Sequence, residues 1–216
     1  MKNIALKFSV FFILVTILPC RSQAQCIKDR SQELKKIKEA DQKERLHWDS
    51  MSSKERLKVD RNDELRRNRV AEIFAEGCFK TGEDYYNAAL VFQHGEVPDH
   101  YYQTYLWASR AVELGNQNGL GLSALGVDRY LMHKGYKQLY GSQASTIPND
   151  PHGCYCLWPV EKLVTDDDRR KLHTPPLADE LHWIEQINTG KSCPSASMCS
   201  TEAKDVPKGS IPGVAW

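Results

Sequence analysis

The chain has no apolar run after its first 24 residues that is long enough to cross a bilayer, so no membrane span is expected. Charge of one sign is not in excess either. The 29 Lys and Arg face 28 Asp and Glu, a balance that argues against nucleic acid as an electrostatic partner. The sequence also lacks a Gly-rich phosphate loop, a Gly-x-Ser-x-Gly turn and a His-Glu-x-x-His helix. No complete catalytic motif is therefore recognisable, and no cofactor is expected.

The first residues have the three parts of a bacterial secretory signal peptide. Two lysines flank the start of an apolar run from Phe8 to Leu18, and the small residues of a cleavage site end at Ala24. Removal of residues 1–24 takes away three cations and no acids, so the formal charge changes from +1 to −2. We predict export as a soluble protein, periplasmic or secreted. Lipid anchoring at Cys20 is the alternative, and Pro19 argues against it because lipoprotein signals have a small residue there.

Six cysteines remain after this cleavage, and an even number in an exported chain predicts disulfides. They are Cys26, Cys78, Cys154, Cys156, Cys193 and Cys199. A direct bond between Cys154 and Cys156 would be strained, so each is expected to reach another segment, such as the one with Cys193 and Cys199. The alternative is a zinc site at His152, Cys154 and Cys156, but no fourth ligand is evident and no metal is expected.

Helical periodicity divides the mature chain into three parts. Residues 25–58 form a charged N-terminal helical extension, and residues 59–188 form a helical core domain with short Gly-bearing turns. Residues 189–216 are rich in Ser, Pro, Lys and Gly and predict a mostly disordered tail. The expected fold class is all-α. It is a bundle of about five or six helices with a long disulfide-tethered loop and a loose C-terminal tail.

One predicted helix carries an acid among apolar residues. Asp128 shares a stripe with Leu125 and Met132, and Arg129 follows it directly. A buried carboxylate is unfavourable unless it is paired or hydrogen-bonded. We expect Asp128 and Arg129 to hold the following loop, residues 138–143, by hydrogen bonds to its backbone. A ligand site at the same place is the alternative.

The stretches AALVFQHG, YLWASRAVELGN and LSALGVDRYLMHKG repeat a cadence of alanines at helix crossings and a glycine at each turn. Over residues 84–135 this cadence resembles Sel1-like and tetratricopeptide helix pairs. A repeat array needs three or more units, so the resemblance favours an all-helical fold rather than a true array.

A more specific resemblance rests on three motifs: Gln93-His94-Gly95, Asp128-Arg129 and the segment from Gln138 to Gln143. Their order and spacing over residues 60–187 are similar to an uncharacterised bacterial family catalogued as a domain of unknown function. Ser142 stands where that family carries Thr. The resemblance implies no activity and no cofactor, but it directs attention to the polar residues of the motifs.

Seven polar residues are therefore candidates for ligand binding: Gln93, His94, Asp128, Arg129, Gln138, Tyr140 and Gln143. In a ligand site His94 would transfer protons near neutral pH, and Arg129 would hold an anionic group. In that site Asp128 would orient His94 or fix the ligand. The competing interpretation is a structural network of satisfied polar groups.

These observations favour an exported bacterial helical module that binds an envelope protein, a peptide or a small ligand without catalysis. The alternative is a small hydrolase with a polar pocket around His94, Asp128 and Arg129. That alternative requires His94 within hydrogen-bond reach of Asp128, Tyr140 or Gln138, at a concave surface.

Overall fold

A computed structural model describes residues 26–147, 149–194 and 197–211. The predicted signal peptide and Cys20 lie outside these residues. The described helices are α1 (Ser31–Glu44), α2 (Ser53–Ala75), α3 (Gly82–Phe92), α4 (Pro98–Glu113), α5 (Gly119–His133), α6 (Asp166–Lys171) and α7 (Leu177–Ile187). A three-ten turn covers Trp48–Ser50, and the strands are β1 (Ala144–Thr146) and β2 (Tyr155–Leu157). The predicted all-α bundle is confirmed, and the described part has seven α-helices instead of about five or six.

Reciprocal capping boxes fix where three of the helices begin. Ser52 caps α2, Thr81 caps α3 and Thr165 caps α6, each together with the acid three residues later. The cap at Ser52 starts α2 at Ser53. One helix therefore runs through the boundary that the sequence predicts between residues 58 and 59.

Two buried clusters form the core. The first contains residues of all four helices from α1 to α4, and includes Leu34, Val70, Ile73, Ala88, Phe92 and Trp107. The second joins α5 to the segments after it and includes Val127, Leu131, Leu139, Tyr140, Val206 and Ile211. The charged N-terminal helix is thus part of the first core rather than an appendage, because Leu34 is buried against α3.

Close contact between α4 and α5 depends on two glycines two turns apart on α5. A Cβ on Gly119 would lie 2.4 Å from the carbonyl oxygen of Ala108. A Cβ on Gly126 would lie 2.9 Å from the backbone nitrogen of Tyr105. The expected small residues at the helix crossings are present, and at these two positions even alanine would force the helices apart.

Three disulfides link the six cysteines: Cys26–Cys78, Cys154–Cys193 and Cys156–Cys199. The predicted use of Cys154 and Cys156 to reach the tail pair is confirmed. The alternative zinc site at His152 is wrong, because both of its thiols are engaged in disulfides. Three disulfides indicate that the chain folds in an oxidising environment, as expected of an exported protein.

The described part of the tail has no helix beyond α7, yet it is attached to the bundle at several points. The backbone of Lys204 forms hydrogen bonds with Gly135 and Lys137, in the segment directly after α5. Val206 and Ile211 are buried in the second core cluster. The tail is therefore less loose than its polar composition predicts, because two disulfides and two apolar side chains hold it. No helix in the described ranges is long and apolar enough to cross a bilayer.

Candidate functional site

Asp128 is completely buried on α5 and binds the loop that follows the helix. Its Oδ1 accepts hydrogen bonds from the backbone amides of Leu139 (2.7 Å) and Tyr140 (3.0 Å). Its Oδ2 accepts from the amide of Ser142 (3.0 Å) and from the Ser142 hydroxyl (2.7 Å). Burial raises the pKa of Asp128, and these hydrogen bonds oppose that effect. All of this carboxylate's bonds go to the loop, which is the structural role expected from the sequence.

The same loop, residues 138–143, is also held from inside and from the opposite side. The side chain of Gln138 accepts from the amide of Gln143 (2.9 Å) and donates to the carbonyls of Gln143 and Trp158. Arg169 on α6, itself buried, donates to the carbonyls of Tyr140 (2.9 Å) and Leu139 (3.4 Å). The loop is therefore hydrogen-bonded on both faces of its backbone, and these bonds restrain its conformation.

Arg129 follows Asp128 but points to different partners. Its Nε donates to Oε1 of Gln143 (2.9 Å), and its Nη1 donates to the carbonyl of Gln93 (2.7 Å). No carboxylate of the described residues lies within ion-pairing distance of this guanidinium. Burial lowers the pKa of Arg129, Tyr101 opposes this effect, and the charge of Arg45 adds to it. An arginine stays protonated at neutral pH, so Arg129 carries a positive charge without an acidic partner.

His94, just after the end of α3, forms its hydrogen bond with an acid that the sequence analysis did not select. Its Nδ1 lies 2.9 Å from Oδ2 of Asp41, a completely buried residue of α1. The carbonyl of His94 accepts from Nη1 of Arg67 on α2 (2.8 Å), which fixes the backbone there. The alternative in which Asp128 orients His94 is wrong, because the hydrogen bonds of Asp128 go to the loop and Asp41 contacts the imidazole instead.

Asp41 belongs to an ionic network between α1 and α2. Arg45, one turn after Asp41, lies 3.4 Å from it and also pairs with Asp63. Arg66 pairs with Asp63 as well and reaches Glu44 of α1 at 2.8 Å. Arg45 and Arg66 therefore neutralise the charges of Asp41 and Asp63, and these ion pairs hold α1 against α2 beside His94.

The electrostatics of this pair favour a charged acid and a neutral imidazole at neutral pH. Burial lowers the pKa of His94, and Arg45 and Arg129 add to this effect, while the contact with Asp41 opposes it. Burial raises the pKa of Asp41, but the interactions with His94 and Arg45 outweigh it and the net pKa is lowered. Nδ1 of His94 then carries the proton that it donates to Asp41. Nε2 is left as an acceptor with no partner among the described residues.

A cleft of about 420 Å³ opens beside His94, and we call it the His94 cleft. Its walls include Arg45, Trp48, Asp63, His94, Glu96 and Arg129. The indole of Trp48 is itself packed under Arg45, whose guanidinium carbon lies 5.6 Å from the ring centre. Aromatic, basic, acidic and imidazole groups thus converge on one concave surface, the acids being Asp60, Asp63 and Glu96.

A second cleft, of about 490 Å³, lies on another side of Arg129, and we call it the Trp183 cleft. Its walls include Leu125, Arg129, Gln143, Pro175, Glu180 and Trp183. Arg129 lines both clefts, and no other predicted site residue does. No group of three or more His, Cys, Asp or Glu in the described ranges is arranged as a metal site.

The predicted candidates therefore separate into two groups. Gln93, His94, Arg129 and Gln143 come together, since Arg129 bonds to Gln93 and Gln143 and shares the His94 cleft with His94. The others belong to the loop or the core: Asp128, Gln138 and Tyr140. Tyr140 is in the second core cluster, and burial raises its pKa to about 12, so it is not an acid or base near neutral pH. Oε1 of Gln93 is buried without a hydrogen-bond partner in the described part.

Sequence reasoning missed Asp41, although the signal was present. Leu34, Ile37 and Asp41 recur at helical spacing, so Asp41 lies on the apolar stripe of α1 as Asp128 lies on that of α5. The same is true of Asp63, between Val59 and Val70 on α2. Both acids lie in strongly charged helices, where one more acid on the buried face is hard to distinguish from the acids on the exposed face.

Comparisons with models of known protein families, with curated proteins and with solved structures find no match for this chain. The resemblance to the uncharacterised bacterial family stays a prediction that rests on its quoted motifs.

Proposed function

We propose that the protein is an exported binding protein that holds a small anionic ligand in the His94 cleft. One observation carries this proposal. The guanidinium of Arg129 borders the cleft and has no acidic partner among the described residues. A partly buried charge of this kind is unfavourable until a counter-ion compensates it. The planar fork of an arginine binds a carboxylate or a phosphate group well.

The other walls of the cleft are consistent with a ligand of metabolite size. A volume of about 420 Å³ is within the range of small-molecule sites. Trp48, whose ring is contacted by the guanidinium group of Arg45, contributes an aromatic wall, and Nε2 of His94 offers a hydrogen-bond acceptor. Three acids also border the cleft. The charge of Asp63 is matched by Arg45 and Arg66, and that of Glu96 by Arg67. Asp60 is exposed, so solvent screens its repulsion of an anion bound at Arg129.

The test measures anion binding to the oxidised mature chain by thermal shift and calorimetry. The probes are inorganic phosphate, a phosphate monoester, acetate and succinate. At least one should raise the melting temperature progressively with concentration, logarithmically once the concentration exceeds its Kd. Arg129→Gln should weaken its binding about tenfold or more, which is about 1.4 kcal/mol. Arg110→Gln is the matched control, because Arg110 is half exposed and forms its ion pair with Glu113 on the same helix, away from both clefts.

Two results would remove the proposal. One is that none of these anions changes the melting temperature at millimolar concentration. The other is that Arg129→Gln binds the active anion as tightly as the parent and the Arg110→Gln control.

A second candidate function is hydrolysis, and the specific observation in its favour is the contact between Asp41 and His94. An acid that binds Nδ1 of a histidine holds the ring so that Nε2 can act as a general base. In such a reaction Nε2 takes a proton from water, and the water oxygen bonds to the electrophilic carbon or phosphorus. The leaving group departs with that proton. Arg129 would stabilise the negative charge that develops.

Chromogenic esters and phosphate esters test this candidate. If it is correct, His94→Gln abolishes turnover and still binds anions, and the control His152→Gln, at an exposed loop position, behaves as the parent. Anion binding without turnover of any ester leaves the binding function alone.

The place of action is part of the proposal. Export to the periplasm or the medium predicts that the mature chain starts at Gln25 and has no free thiol. Intact-mass measurement of the chain from each cell fraction, without reductant, tests both points.

A further inference from the structure

The Trp183 cleft brings together charges of opposite sign that do not neutralise each other. Arg129 borders it with a guanidinium that has no acidic partner, and Asp179 and Glu180 border it from the first turn of α7. Neither acid has a basic partner within the described ranges, and neither lies within ion-pairing distance of Arg129. The cleft therefore has a cationic and an anionic side with a space between them.

We propose that the Trp183 cleft binds a zwitterion, namely an α-amino acid or short peptide with an apolar side chain. The carboxylate of the ligand would bind Arg129, and its ammonium group would bind Glu180 and Asp179. The apolar side chain would lie on Leu125, Pro175 and Trp183. Each group of the ligand thus meets the wall residue that is complementary to it.

The acidic side of the cleft is well suited to an ammonium group. Burial raises the pKa of Glu180, and the neighbouring charge of Asp179 raises it further. A bound cation would relieve the repulsion between the two carboxylates and lower that pKa again. The indole of Trp183 contacts Tyr155 and is still 45 % exposed, so part of the ring is open to a cation or to an apolar side chain of the ligand.

The basic side is held rigidly, which favours recognition of a carboxylate. Nε of Arg129 is fixed by Oε1 of Gln143, and Gln143 is held in turn by Ser142 and Gln138. These residues belong to the loop that Asp128 ties to α5. A guanidinium fixed in this way loses little conformational entropy on binding, so the loop network serves the cleft by positioning Arg129.

This inference is independent of the anion site in the His94 cleft, except that Arg129 lines both. Glu180 and Trp183 do not border the His94 cleft, and His94 and Trp48 do not border the Trp183 cleft. Substitutions at these four positions therefore separate the two sites.

Calorimetry on the oxidised mature chain tests the proposal with L-phenylalanine, L-phenylalanine amide, N-acetyl-L-phenylalanine and L-leucyl-L-leucine. The free amino acid or the dipeptide should bind, and the amide and the acetylated compound should bind about tenfold or more weakly, because each lacks one charge. Tighter binding of the dipeptide would assign a peptide ligand, and tighter binding of phenylalanine would assign a free amino acid.

Variants on α7 complete the test. Glu180→Gln and Trp183→Ala should each weaken zwitterion binding about tenfold, and both should fold because Glu180 is only partly buried and Trp183 is 45 % exposed. The control is Glu185→Gln, at an exposed position of the same helix. Phosphate binding at the His94 cleft should be unchanged in all three variants, so failure at one site is distinguishable from failure at the other.

The proposal is overturned if the amide and the acetylated compound bind as tightly as the zwitterion, since charge would then play no part. It is equally overturned if none of the four compounds binds, or if Glu180→Gln and Trp183→Ala bind the zwitterion as the parent does.

Discussion

Asp41 on α1 and Asp128 on α5 are both completely buried, and both lie on the apolar stripe of a helix, yet their partners differ in kind. Asp128 accepts hydrogen bonds from three backbone amides and one hydroxyl of a single loop. Asp41 contacts groups that titrate or carry charge: the imidazole of His94 and the guanidinium of Arg45. The first acid is bonded to groups whose protonation does not change, and the second is bonded to a histidine at the edge of a cleft.

This difference separates a structural carboxylate from one that can take part in chemistry. Backbone amides that bond to Asp128 hold the loop in one conformation and are not free to bond to a ligand. A histidine held by an acid retains a free nitrogen, and its pKa depends on that acid. Burial and position on an apolar stripe are identical for the two aspartates, so the nature of the partners decides between the two roles.

The largest expected effect is at Asp128. Asp128→Ala leaves three buried amides and a hydroxyl without an acceptor, so it should lower the free energy of unfolding by about 3–5 kcal/mol. Urea denaturation measures this loss, and hydrogen exchange should accelerate at Leu139, Tyr140 and Ser142. The control Asp167→Ala removes an exposed acid paired with Arg170 and should change stability by less than about 0.5 kcal/mol. Parent-like stability of Asp128→Ala would remove the distinction between the two aspartates.

The next effect is at Asp41. Asp41→Asn should destabilise the fold by about 1–3 kcal/mol, less than the loss at Asp128, because Arg45 keeps its pair with Asp63. Since Asp41 raises the pKa of His94 against the effect of burial, the substitution should lower that pKa further. An NMR titration of the imidazole measures it.

Asp128→Asn is the matched control for this titration, since it removes an equally buried acid that does not contact His94. An equal displacement of the His94 titration in both variants would contradict the assignment of Asp41 as the partner.

A smaller loss is expected at Ser142. Ser142→Ala removes one of the four donors to Asp128 and leaves the three amides in place. We expect a cost of about 1 kcal/mol in the free energy of unfolding, and little change in hydrogen exchange at Leu139. A loss as large as that of Asp128→Ala would mean that the hydroxyl, rather than the backbone, dominates the network.

The smallest expected effect is in the pH dependence of stability. The pKa of His94 in the folded chain is below its usual value of about 6.5, so the unfolded chain binds more protons between these two values. Stability from His94 is therefore fully present above about pH 6.5 and is lost as the pH falls towards the folded pKa. His94→Gln should make this decline shallower without abolishing it, because burial also lowers the pKa of His100 and His133.

Unfolding measured from pH 7.5 to 5 tests this slope, with the exposed His152→Gln as control. A slope identical in His94→Gln and the parent would show that His94 is not a buried neutral histidine.

Local rules predicted a large part of the fold and half of the candidate site. Helical periodicity found the bundle, and cysteine number found the disulfides. The acid on the stripe of α5 indicated that Asp128 must be satisfied, and the loop that does so begins only ten residues later. The prediction for Asp128 succeeded because the loop that satisfies it is close in the sequence, whereas the disulfides were predicted from the even number of cysteines alone.

The same local rules could not predict which acid contacts His94. Asp41 and His94 are separated by 53 residues, and His94 could have met any of several acids as far as the sequence shows. Arg129 was selected for its residue type, but nothing in the chain order indicated that it would border two clefts without an acidic partner.

By itself the sequence determined that the chain forms helices, that its six mature cysteines form disulfides, and that the acid on the apolar stripe of α5 must be satisfied. The physical reason is that propensity, capping and burial act over one or two helical turns. Only the tertiary structure decided which groups satisfy Asp41, which acid orients His94, and that Arg129 and Glu180 share one cleft without touching. Those outcomes depend on how α1, α3, α5 and α7 pack, and packing is a property of the whole chain.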